Sequence, residues 1–112
     1  MTARLQAGIW VSAYIRRCFA AGTPAMLRRR GDAHGGSVLI KLNRLDGTAE
    51  ILSPSFGIKG ERIWLRATGA APVADAVAEA YLDKRLARDP DIWVVEVETR
   101  DGDAGLDEPV VA

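Results

Sequence analysis

One cysteine and one histidine, Cys18 and His34, are all that this chain offers of the side chains that dominate zinc sites. Zinc takes three or four protein ligands, so no metal centre is expected. A lone cysteine closes no internal disulfide, which is consistent with a reducing compartment. Long apolar runs are missing as well. Nothing approaches the roughly 18–20 residues that cross a bilayer, so no membrane association is expected. The opening MTARLQAGIWVSAYIRRC has only a brief apolar stretch, broken by arginines and lacking a cleavage site. That argues against a secretory signal and makes the cytoplasm the default. Neither a GxxxxGK[ST] phosphate loop nor a GxGxxG fingerprint is present, so no cofactor is expected. Net charge is zero and the pI is about 6.6, far from the basic footprint of nucleic-acid binders.

What is present describes one domain, 1–112, with hydrophobic residues at 48% and charged residues at 27%, the balance of an ordinary globular chain. Val11, Tyr14, Ile15, Cys18 and Phe19 recur at helical spacing, and Gly22 and Pro24 end that helix. Whether Gly8–Trp10 begins the helix or forms a short strand is left open by the pattern. Strands are expected at 25–30 and 37–45. The first two are expected to form a hairpin, and Asp46-Gly47 makes a two-residue turn into a third strand. That turn sets Leu42 opposite Ile51 and sends both to one core. Residues 53–61, SPSFGIKGE, read as a loop, and 61–68 as a fourth strand. A helix from Pro72 to Arg88 carries acids early and bases late, as its dipole favours. Residues 92–98, IWVVEVE, are apolar on both faces at their start, which argues for an interior strand. The expected fold is α+β, α-β-β-β-β-α-β, with a mostly antiparallel five-stranded sheet in the order 5-1-2-3-4. Both helices are expected on one face, and an acidic, flexible tail from about residue 101. Leu106 is the residue of that tail able to dock.

The charges are segregated. Residues 1–66 hold eleven bases and four acids, and residues 67–112 hold four bases and eleven acids. With a near-neutral pI, mutual neutralisation within the fold is a better account of this than a nucleic-acid surface. In RRRGDAHGG, glycine amides beside Arg28 and Arg30 can form an anion-binding nest, but a connection between two strands needs no such role. Cys18 and His34 lie on a helix core and a loop, which separates them as a nucleophile pair. Asp89, Asp91, Glu96 and Glu98 resemble the carboxylates of metal-dependent nucleases. The lysine of that pattern is missing, and helix termination accounts for Asp89 and Asp91.

Strand parity makes a different proposal. It places Arg28, Arg30, Lys41, Arg62, Trp64 and Arg66 on one sheet face, where bases around an indole would hold an anionic ligand, an acidic protein surface or a second copy of the chain. The leading expectation is therefore a small non-catalytic binding or regulatory domain, homodimeric in one form of that reading, with no catalytic residue. Nucleotide or single-stranded nucleic-acid binding through the arginines is the alternative. A hydrolase built on the carboxylates of 89–98 is the third.

The segments WVSAYIRRC, RRGDAHGGSVLIKLNRLDG, WLRATG and AEAYLDKRLARDPDIWVVEVE carry a resemblance that runs from about Trp10 to Pro109. They are similar, in order and spacing, to a family of short alphaproteobacterial proteins classed as a domain of unknown function. Gly31-Asp32, Trp64, Asp89-Pro90-Asp91 and Trp93 fill the family's places. The resemblance implies one compact domain in a bacterial cytosol, and it carries no activity, cofactor or site residue.

Overall fold

The computed structural model describes residues 6–112. Helix α1 spans Ala7–Ala20, which settles Gly8–Trp10 as helical. Its buried stripe is Ala7, Val11, Tyr14 and Cys18, while Phe19, expected on that stripe, is exposed. The helix closes in a Schellman arrangement. The Thr23 N–H donates to the Cys18 carbonyl at 2.8 Å and Gly22 N–H to that of Phe19 at 3.0 Å, with Gly22 at φ 79.

The strands are β1 (Ala25–Arg29), β2 (Val38–Asn43), β3 (Thr48–Phe56), β4 (Arg62–Arg66), the two-residue β5 (Val73–Ala74), β6 (Trp93–Glu98) and β7 (Val110–Val111). Helix α2, Asp75–Arg88, lies between β5 and β6. The fold is α+β, but the sheet among the described residues is mixed and seven-stranded, in the order β1-β6-β2-β3-β4-β7, with β5 on β3. The expected 5-1-2-3-4 order is corrected. β6 is antiparallel to β1 as that order required, yet it sits between β1 and β2 and runs parallel to β2. Leu39, Ile40, Val95 and Val97 are all fully buried, so each side of β6 needs a strand and each face a covering layer.

The helices cover opposite faces, not one. Val38, Ile40, Leu42, Val95 and Val97 pack with α1, whereas Leu39, Ile51, Ile92 and Val94 pack with Ala78 and Leu82 of α2. Successive strand residues alternate faces, so a run apolar on both parities requires cover on both. β2 meets this with five consecutive buried residues.

The β2–β3 register also departs from expectation by one residue. Leu42 lies opposite Glu50 and Lys41 opposite Ile51, which separates Leu42 and Ile51 onto opposite faces. The connection is three residues, Leu45–Gly47, closed by the Arg44 N–H on the Thr48 carbonyl at 3.1 Å. Local side chains select it. Asp46 accepts from the Thr48 amide and hydroxyl at 2.9 and 2.6 Å, and Asn43 accepts from the Leu45 N–H at 2.9 Å. Leu45 is held at φ 63 as a result.

The segment from 101, expected as a flexible tail, is docked. The Tyr14 hydroxyl donates to the Ala104 carbonyl at 2.6 Å, Leu106 packs on the α1 core, and β7 joins β4. Residues 53–56, expected in a loop, extend β3. Pro54 is tolerated there because its partner Trp64 donates its N–H to Pro109 instead, so the pair needs no bond from the proline nitrogen.

A cleft beside the glycine loop

The GDAHGG segment is not a hairpin loop, because β1 and β2 are not neighbours. It arches over the start of β6. Asp32 N–H donates to the Asp91 carbonyl at 3.0 Å, and the Trp93 indole N–H donates to the Asp32 carbonyl at 2.7 Å. The Asp32 carboxylate accepts the Gly35 amide at 2.8 Å and the His34 amide at 3.2 Å. A Cβ at either Gly31 or Gly36 would lie 2.1 Å from the Asp91 carbonyl oxygen. These glycines are therefore needed for close approach of two backbones. Arg30 leaves the loop to lie over the Trp93 ring, 5.6 Å from its centroid.

The predicted cationic face is divided. A β-bulge between Leu27 and Arg29 changes the facing only of residues after Arg28, and the shifted β2–β3 register parts Lys41 from Arg62, Trp64 and Arg66. Arg28 and Lys41 turn to the α2 side, where Arg28 meets Glu79 at 2.8 Å and Glu96 at 2.7 Å. Lys41, 3% exposed, meets Asp75 at 2.6 Å and Glu79 at 2.5 Å. Hydrogen bonds from Arg28 and Lys41, working against burial, hold the Glu79 carboxyl down at about 2. Bonds to Glu79 and then Glu96 raise Arg28 above its ordinary value. Burial opposes the Lys41 charge, yet Asp75 and Glu79 outweigh it and raise its pKa. Arg62, Trp64 and Arg66 share the α1 side. Arg66 and Arg44 clamp the buried Glu50 carboxylate at 2.6 and 2.9 Å. Thus the basic half and the acidic half of the sequence meet inside one fold.

Trp64 is a core residue, 6% exposed, tilted against Trp10 at 5.7 Å, with its indole N–H donated to Glu108 at 3.1 Å. Its remaining surface forms part of a cleft of about 320 Å³. One wall is Ala7 and Trp10 of α1, another His34–Ser37, and the third Phe56 and Arg62 at the ends of β3 and β4. Among the described residues Arg62 makes no ion pair. It is the one base of the predicted set that combines that freedom with a place in the cleft.

Sequence reasoning missed Trp10, Phe56 and Glu108 as cleft residues. The available signal was Phe56 and Ile58 within a glycine-rich polar stretch, where apolar side chains have no core to enter. The late carboxylates do not converge. Glu96 is engaged by Arg28 and Asn43, and Asp89 accepts the Asp91 amide at 3.0 Å. Among the described residues no three His, Cys, Asp or Glu side chains gather as a metal would require. Cys18 is buried, and burial pushes its thiol pKa up. No helix is long and apolar enough to cross a membrane.

Residues 5–107 match the family described as Protein of unknown function (DUF1491). A crystal structure of a DUF1491 family protein from Caulobacter crescentus CB15 is similar at TM-score 0.84 and 42% identity, covering 96% of this chain and 99% of that one. An NMR structure of a DUF1491 family protein from the same organism gives 0.81 and 41%, over 97% and 98% of the two chains. The solution structure of protein Atu0922 from A. tumefaciens gives 0.73 and 30%, covering 87% of each. Comparison with curated proteins gave no match. With a family match along nearly the whole chain and a relative 42% identical that folds alike, this chain belongs to the DUF1491 family.

Proposed function

We propose that the protein is a non-catalytic binding domain and that the cleft beside the glycine loop is where it takes a segment of another polypeptide. The observation that carries this reading is Arg62, exposed and without an ion pair among the described residues, beside the indoles of Trp10 and Trp64. Aromatic walls reward an apolar side chain, and an unpaired guanidinium rewards a carboxylate. The expected ligand is therefore a short segment with a bulky apolar residue and an acid close by. The nucleic-acid reading draws less support, because Arg28, Lys41 and Arg66 already hold carboxylates. The hydrolase reading draws less again, since Glu96 is committed to a structural ion network.

A displayed peptide library selected on the protein tests this. Enriched peptides should pair an apolar residue with an acid, and their titration should shift the amide resonances of Gly35, Gly36 and Arg62. Arg62→Glu should abolish the response. Peptides whose shifts map to another surface would overturn the reading.

A further inference from the structure

The occupant of the cleft can be named, on the basis of the binding reading above. The β3–β4 hairpin ends in Gly57-Ile58-Lys59-Gly60-Glu61. Gly60 takes φ 79 and donates its N–H to the Gly57 carbonyl at 3.0 Å, while the Glu61 carboxylate accepts the Lys59 N–H at 3.0 Å. The turn is thus tied by its own backbone, and it holds Ile58 in the open. At 105% relative exposure, Ile58 is the most exposed large apolar residue among those described. Covering such a side chain is favourable, and none of the described residues of its own protomer covers it.

The same hairpin supplies Phe56 and Arg62 to the cleft wall. Tip and cleft are therefore adjacent on one element. An arrangement in which each tip enters the other protomer's cleft uses one surface twice, and a two-fold axis closes it. The charges complement. The tip offers Lys59 and Glu61, and the cleft offers Glu108 and Arg62. Glu61 three residues after Ile58 is also the apolar-plus-acid segment that the cleft chemistry selects.

We infer that the cleft's partner is a second copy of this chain, whose β3–β4 tip seats Ile58 against Trp10 and Trp64 with Lys59 facing Glu108 and Glu61 facing Arg62. The contact is compact, and small interfaces are weak and concentration-dependent.

Sedimentation equilibrium of the full chain, carried up to about 1 mM, where a dimer of millimolar affinity is substantially populated, tests it. The wild type should show a monomer–dimer equilibrium. Ile58→Lys should weaken association by at least about tenfold with an unchanged Tm, because Ile58 is fully exposed among the described residues. Ile58→Leu should retain it. A wild type that stays monomeric throughout, or an Ile58→Lys variant that dimerises as well as wild type, overturns the inference. If the wild type is monomeric while library peptides still shift the cleft amides, the second copy is removed and the cleft reading stands. Peptides that map elsewhere remove the cleft reading itself.

Discussion

Glu79→Gln isolates the ion network under α2. Glu79 joins Arg28 at 2.8 Å and the buried Lys41 at 2.5 Å, and its carboxyl is held at about 2 from an ordinary 4.5. Each pKa unit corresponds to about 1.4 kcal/mol of preference for the charged form in the fold, which sets an upper bound of roughly 3 kcal/mol. The side chain is one-third exposed (33%), and solvent screening brings the expectation to roughly 1–2 kcal/mol. The sign follows from the direction. A carboxyl depressed in the folded state contributes its full stability above the unfolded value near 4.5 and loses it as pH falls toward 2. Urea unfolding of wild type and variant at a series of pH values is the assay. Glu79→Gln should be less stable near neutral pH, and the gap should close as the wild type is acidified through that window. Parallel curves, with the gap unchanged down to about pH 2, would show that the Glu79 charge contributes nothing to the fold.

Gly36→Ala should destabilise by about 1–3 kcal/mol or more, since its Cβ would sit 2.1 Å from a backbone carbonyl. Gly35→Ala is the control in thermal unfolding, because its Cβ meets only the Asp32 carboxylate at 3.7 Å; equal melting temperatures for the two would remove the close-approach account. Cys18, 6% exposed with its thiol pKa raised by burial, should react slowly with a thiol reagent in the native protein and faster as denaturant is added. Fast native labelling would place that helix face in solvent.

The local chemistry of this fold is largely readable from sequence, and its long-range pairing is not. The α1 stripe, the Gly22 stop, the early acid and late bases of α2, and the interior character of IWVVEVE follow from spacing alone. The neutralisation of the basic half by the acidic half is legible in the same way, and Lys41 with Asp75 and Glu79 realises it. One short-range event defeats the expected parity. The Asp46 and Asn43 side chains lengthen the β2–β3 turn by one residue, which parts Lys41, on the face of Arg28, from Arg62, Trp64 and Arg66. A one-residue slip exchanges every facing, so the six-residue cationic face dissolved although β1, β2 and β4 lie within the segments expected as strands.

Where β6 enters the sheet depends on the connection from Arg30 to Ser37. Neighbouring strands lie about 4.8 Å apart and next-nearest ones about 10 Å. An eight-residue stretch reaches either distance with ease, so length cannot distinguish a hairpin from a bridge over an intervening strand. Glycine placement can. A plain hairpin loop needs glycine where φ is positive, yet neither Gly31 nor Gly36 has a positive φ. Both instead admit the Asp91 carbonyl of the turn that leads into β6. The glycines that suggested a phosphate nest are therefore the record of β6 passing under the loop, and the same crossing brings His34–Ser37 against Trp64 to form the cleft. The candidate site exists because β6 is inserted between β1 and β2.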